Sequence, residues 1–300
     1  MGVVGTVGFG IYEWRLSSKA FDADGKPFIG ENIEPIIRFT IFTNVTLVIT
    51  YFETVIHGIV LWSLLYFLPL YYEAVQGYTP IISGVAIIPE TGLVAPISII
   101  TSIACTITGR YRWALWAGWT FTTIGSGLLF LLGPHTSIPG WIFLNFLVSI
   151  GTGALFPAMA LGVQAACRPE DSGHAVAFFT FLRTFGQSIG VAISGVAFQN
   201  QIRKKLLTYP AFSAVAREYS SDATSLVKII QEMHDGTEKT DLIKVYSDSL
   251  HVIWLLMTAL SGVALISSCF TKEFTLEQEH NTKQGFNEKR LTDTEAGEKK

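Results

Sequence analysis

Charge is what this sequence has least of. Asp, Glu, Lys and Arg together make up 15% of its 300 residues, against roughly 25% in soluble domains. The scarcity is local. None of the four occurs at 54–72, 91–109, 113–167 or 249–271. Charge-free apolar stretches of about 20 residues have the length of a membrane-spanning helix. They exclude a soluble domain, and they exclude disorder over most of the chain. A β-barrel is excluded as well, because its strands would alternate polar and apolar over about 10 residues each. A basic surface is also lacking: 21 Lys and Arg against 24 Asp and Glu leave a net charge of −3, no footprint for nucleic acid. The three cysteines, Cys105, Cys167 and Cys269, are too far apart for a metal-ligand set or a disulfide framework. Phosphate-cradling glycine loops, paired catalytic carboxylates and HExxH are missing. The chain therefore reads as no enzyme, with no cofactor and no metal.

What is present is an all-α membrane protein. Residues 1–12 are apolar and glycine-rich but too short to span. They lack a basic leader region and a small-residue cleavage site, so they read as the end of a preceding helix. That helix end and a polar linker fill 1–40, where Asp22, Asp24, Gly25, Lys26 and Pro27 are turn residues. Region 41–271 holds six spans, at about 46–70, 80–103, 112–133, 139–164, 173–198 and 249–271. A long polar loop, 199–248, has parts that fit amphipathic helix. Residues 272–300 form a charged tail with a disordered composition. Lys and Arg in short loops favour the cytosol. Arg15, Lys19, Lys26 and Arg38 precede the first span, Arg110 and Arg112 follow the second, Arg168 follows the fourth, and Lys272, Lys283, Lys289 and Arg290 lie in the tail. All of these share one side. The loop 199–248 then faces outside, although Arg203, Lys204 and Lys205 run against the rule. The sequon Asn44-Val45-Thr46 falls at the cytosolic edge and stays unmodified.

Ionisable groups inside a span are costly and mark functional positions. Glu53 and His57 are four apart, on one helix face, and His changes charge near neutral pH, so the two can pass or store a proton. Glu90 follows Pro89 midway along the second span, where a proline frees a backbone carbonyl and a carboxyl can take up and release a proton. Each also has a purely structural reading as a hydrated or paired group. Arg183 lies mid-span with Gln187 one turn on. It requires a carboxylate, carbonyls or a wet cavity, and Glu90 is one partner to test. Asn145 adds an amide to the fourth span, where Gly151, Gly153 and Pro157 weaken the helix. Gly186, Gly190 and Ser194 form a small-residue stripe, as do Gly118, Thr122 and Ser126, which lets helices approach closely. Trp113, Trp116 and Trp119 read as an interfacial aromatic belt.

Leu68-Pro69-Leu70-Tyr71-Tyr72-Glu73-Ala74-Val75-Gln76-Gly77-Tyr78-Thr79-Pro80, with Ser83-Gly84 and Pro89 after it, resembles the major facilitator superfamily. The likeness is to its fourteen-helix drug:proton antiporter branch, especially the fungal efflux pumps. Thr108 to Trp113 and the stretch from Phe181 through Ala192 to Asn200 agree. The resemblance implies that the chain is the six-helix C-terminal bundle of a major facilitator fold. Its partner would be an N-terminal bundle absent from this sequence, so that residues 1–300 alone do not transport. It also implies proton-coupled efflux of an amphipathic organic compound or secondary metabolite across the plasma membrane, with the vacuolar membrane as the alternative. A siderophore-iron importer and a non-transporting remnant are the rival readings. Gly109, Arg110 and Arg112 would form a cytosolic gate loop or a topology anchor. The third and sixth spans would be peripheral, so that truncating Leu129 is mild. The placement of Glu53, His57, Glu90 and Arg183 on spans one, two and five agrees with that division.

The orientation has a direct check. Intact cells expressing a Ser221→Cys variant are expected to react with an impermeant maleimide, and cells expressing Ser172→Cys are not. The opposite pattern would invert the topology.

Overall fold

The computed structural model describes residues 8–13, 15 and 37–276. Residues 8–13 are helical. Residues 16–36 of the linker and the tail after 276 lie outside the described residues. All regular structure among the described residues is helical. The spans are α1 (Val45–Ala74), α2 with α3 (Pro80–Ala86 and Ile88–Thr108), α4 (Arg112–Leu128), α5 (Ile138–Ala166), α6 (Ser172–Leu206) and α9 (Thr237–Ser268). Two short helices, α7 (Ala216–Tyr219) and α8 (Ala223–Glu232), lie between the last two. Among the described residues, six helical segments are long and apolar enough to cross a membrane.

Local chemistry sets the ends. Asn44 caps α1 by accepting a hydrogen bond from Thr46 N at 3.0 Å. Thr79 caps α2, with Pro80 in its first turn, where a missing N–H costs nothing. Gly77 and Gly109 stop α1 and α3 with φ of 69° and 66°, a region that L side chains avoid. The hydroxyls of Thr50, Thr54, Ser63, Thr122 and Thr152 each donate to the carbonyl four residues back. This satisfies them without water.

Packing arranges the six spans in an open arc. α1 packs on α6, α9 and α5; α5 packs on α4 and α3; α9 closes the back between α4 and α1. α3 and α6 flank the open side. α1 and α5 bury 67% of their most apolar stretch, whereas the second span buries 11% and α6 17%. The third and sixth spans, read as peripheral, fall between, at 44% and 39%. Leu129 is fully buried, so its truncation belongs with core deletions that cost about 2–5 kcal/mol. Leu131, at 66% exposure, is the lipid-facing residue there. Trp119 is fully buried too, while Trp113 and Trp116 are exposed. The belt reading therefore applies only to the latter two.

α1 and α6 approach each other closely through glycines. A Cβ on Gly186 would collide with the Val55 carbonyl. One on Gly190 would sit 2.7 Å from Ile59 Cα, and one on Gly58 2.6 Å from the Arg183 carbonyl oxygen. One turn further, Ser63 and Ser194 hydroxyls meet at 2.7 Å.

The short basic segments do converge at one end. Arg38 pairs with Asp171 at 3.0 Å, Asn44 Nδ2 donates to Ala166 O at 3.0 Å, Tyr111 OH donates to Lys272 O at 2.9 Å, and Lys272 N donates to Thr46 at 3.0 Å. The other end is more helical than the sequence implies. α6 runs to Leu206, and α9 starts at Thr237 rather than near 249. The connection is therefore 207–236. Lys205 and Asp248 pair at 2.8 Å across the two extensions. α8 buries Leu226, Val227 and Ile230 and packs chiefly on α1, touching α6 and α9 as well. Its cap, Asp222, is held below the usual carboxylate range by hydrogen bonds from the Ser225 hydroxyl and the Thr224 N–H.

The α1–α6 contact predicts a contrast between two glycines of one helix. Gly186→Ala is expected to lower stability by roughly 1–3 kcal/mol, as overpacking does. Gly195→Ala, with nothing within 4 Å, is expected to be neutral. Thermal unfolding of the two variants in detergent decides it; equal shifts would sink the close-packing account.

Candidate functional site

The site is built on one face of α5. Asn145, Ser149, Thr152 and Phe156 are spaced four, three and four residues apart, which places them in one row. Each meets a different group brought in by α1, α3 or α6.

Glu90 comes first. It lies ten residues into the second span, about 15 Å at 1.5 Å per residue, half the thickness of a bilayer core. The helix is interrupted there at Ile87, and Pro89 opens α3. Ser149 Oγ lies 3.2 and 2.8 Å from the Pro89 and Glu90 carbonyl oxygens, which ties α5 to the first turn of α3 just beyond the break. The Glu90 side chain is fully buried, and neither carboxyl oxygen has a hydrogen-bond partner. Tyr72 of α1 lies within its electrostatic reach. The Tyr72 hydroxyl accepts a hydrogen bond from Asn145 Nδ2, and Asn145 Oδ1 is left without a partner.

His57 comes next along the row. Its ring is buried, with Nε2 3.0 Å from the Thr152 carbonyl oxygen. A carbonyl only accepts, so Nε2 carries the proton. Nδ1, which has no partner, is a free acceptor when the ring is neutral. One turn on, the Arg183 guanidinium lies over the Phe156 ring, 3.9 Å from its centre, and its charge reaches His57. Arg183 forms no ion pair with Glu90. Gln187, one turn further on α6, is half-buried.

Glu53 stands apart. Its buried carboxyl accepts from Ser267 Oγ of α9 at 3.4 Å and faces the Trp119 indole of α4. It points behind α1, and no hydrogen bond joins it to His57. The gate-loop residues are elsewhere again. Gly109 turns the chain, Arg110 lies 3.7 Å from Glu273 with most of its side chain exposed, and Arg112 covers the Trp116 ring at 4.7 Å. Gly186, Gly190 and Ser194 line the α1 contact and face α1 rather than the α5 row. No group of three His, Cys, Asp or Glu is placed to hold a metal among the described residues.

Sequence reasoning assigned no role in the site to Tyr72, Ser149 and Thr152, and read Phe156 only as one of several span aromatics suited to a greasy cavity. The polar spacing in α5 was the available signal. Chemically, the row brings together a carboxyl, an imidazole and a guanidinium, none of which pairs with another.

A sequence model of the Major Facilitator Superfamily matches residues 1–191. Among similar proteins, "MFS transporter L2" of Phoma sp. is 52% identical over 255 residues, 85% of this chain and 43% of its own length. "MFS-type efflux pump LUC4" of Fusarium sp. is 29% identical over 294 residues, 96% of this chain and 49% of its own. "Efflux pump FUS6" of Gibberella moniliformis is 29% identical over 273 residues, 90% and 48%. The chain spans about half the length of the curated relatives it matches.

The Tyr72–Asn145 hydrogen bond is testable by a double-mutant cycle. Asn145→Ala and Tyr72→Phe are each expected to cost about 1–3 kcal/mol, since each strands a buried partner. The double variant is expected to cost clearly less than the sum. Additive losses in thermal unfolding would remove the interaction.

Proposed function

The chain belongs to the major facilitator superfamily, and from that premise we propose that it forms one bundle of a proton-coupled exporter of amphipathic organic compounds. The observation that carries this reading is the α5 row. Within a multi-pass membrane bundle, Glu90 and His57 are buried groups that can exchange a proton, and they meet the same face of α5 as the cation Arg183. Glu90 is the coupling group in this reading. Its carboxyl oxygens are bonded to nothing, so protonation breaks no ion pair, and it sits where α3 is already interrupted. A change in its charge acts directly on the junction of α2 and α3. His57 is the second group. Glu53, locked behind α1 against Ser267 and Trp119, has a structural role.

The open side between α3 and α6 supports an outside partner, which we take to be the N-terminal bundle of a full-length carrier. Cargo then binds between bundles near the midplane, as in other two-bundle carriers. Export rather than import is favoured by two relatives whose printed names are efflux pumps. The plasma membrane is the location that fits export from the cell.

The reading predicts that in a carrier joining this chain to an N-terminal bundle of its family, Glu90→Gln lowers pH-gradient-driven export of a labelled amphipathic compound at least tenfold. Delivery to the membrane should be unchanged. Leu131→Ala, on a lipid-facing position, should export normally. Inside-out vesicles provide the measurement, and undiminished gradient-dependent export by Glu90→Gln would exclude Glu90 as the coupling group.

A further inference from the structure

Arg183 is a cation with nothing of opposite charge beside it. Neither buried acid of the spans pairs with it: the Glu90 carboxyl oxygens have no hydrogen-bond partner, and the Glu53 carboxyl accepts from Ser267 Oγ. Arg183 Nε is buried and bonded to nothing, and no ion pair reaches its guanidinium among the described residues. Its charge reaches His57, whose Nε2 is taken by the Thr152 carbonyl. An uncompensated guanidinium at membrane depth is costly, and leaving one buried charge unpaired is a typical source of instability.

Its surroundings are nevertheless built. The Phe156 ring lies under the guanidinium at 3.9 Å, a cation–π contact that covers one face of the planar group. The N–H donors of a guanidinium point outward in its plane, so stacking leaves them free for a bidentate acceptor. On α6, Thr180 and Gln187 stand three residues before and four after Arg183, on its side of the helix. Thr180 is exposed and Gln187 half-buried. Phe181 and Phe185 are two positions away in either direction, on the opposite side of α6, where they stack on each other with centroids 6.0 Å apart and face outward. The helix thus separates a polar edge with one cation from an apolar outer surface. The polar edge borders the open side of the arc.

We propose that Arg183, seated on Phe156, is the recognition group for a carboxylate carried by an amphipathic organic cargo, with the Gln187 amide as a neutral neighbour. The forked donors match a planar carboxylate, and the bound anion supplies the counter-charge that the bundle withholds. The proposal rests on the export reading for the identity of its ligand as cargo, but its test needs neither transport nor a proton gradient.

The test compares two aromatic probes of nearly equal shape, 2-naphthoate and its neutral amide 2-naphthamide, binding to the purified full chain in detergent. The chain is expected to bind naphthoate at least tenfold more tightly. Arg183→Gln is expected to abolish that preference. Phe156→Leu, which keeps the cation and removes its seat, is expected to reduce it severalfold, and it decides the matter if Arg183→Gln does not fold. Equal affinity for the two probes, no saturable naphthoate binding, a preference that survives Arg183→Gln or one unchanged in Phe156→Leu would each overturn the proposal. Failure of the export reading looks different: naphthoate preference intact, with no gradient-driven export from vesicles.

Discussion

The arrangement depends on how closely α1 and α6 approach. Lipid offers no hydrophobic gain for bringing two apolar helices together, so association depends on dispersion at short range and on hydrogen bonds between helices. The three glycines are reciprocal: Gly58 lies under the Arg183 carbonyl, Gly186 under Val55 and Gly190 under Ile59. Ser63 and Ser194 close the same seam. This contact sets the rotation of both helices. With α6 held there, Arg183 turns toward α5 and not toward lipid. With α1 held there, His57 reaches Thr152.

Spans were legible in the sequence because charge is excluded from lipid with little tolerance. The same signal failed at the outer ends of α6 and α9. A helix needs an apolar run to cross the bilayer, but it does not stop where the run stops. Charges at Arg203 to Lys205 and at Asp241 to Asp248 mark the limit of the membrane, and the helix continues through them. Trp119 was misread for a related reason. Three tryptophans at three-residue spacing rotate by about 300° per step on a helix, so the third drifts from the surface held by the first and turns inward.

The Glu53 and His57 pair shows where spacing loses its meaning. Four residues apart means one face only on a helix that has one buried face. α1 is buried on most sides, so positions about 40° and 6 Å apart fall into different grooves, one walled by α4 and α9 and the other by α5. Periodicity also had no way of assigning neighbours to Asn145, Ser149 and Thr152, because those neighbours come from two other helices, α1 and α3. What was legible was the type of residue that a span rarely holds; which of them share a site depended on packing.

The outer extensions have a mechanical consequence. From Gly190 to Leu206 α6 rises about 24 Å, so a 10° tilt about the glycine seam would carry its tip roughly 4 Å. That tip is not free to swing alone. Lys205 is tied to Asp248 of α9, and Gln199 Nε2 and Tyr246 OH grip the strap ahead of and within α8 through Ser221 O and Ala223 O. Leverage at the tip is therefore shared among α1, α6 and α9, which are braced at both the seam and the far end. α3 has no such brace and packs chiefly on α5 beyond the break at Ile87. In stiffness terms the bundle is lopsided: one side resists as a tripod, and the other yields as a jointed rod whose joint is next to Glu90.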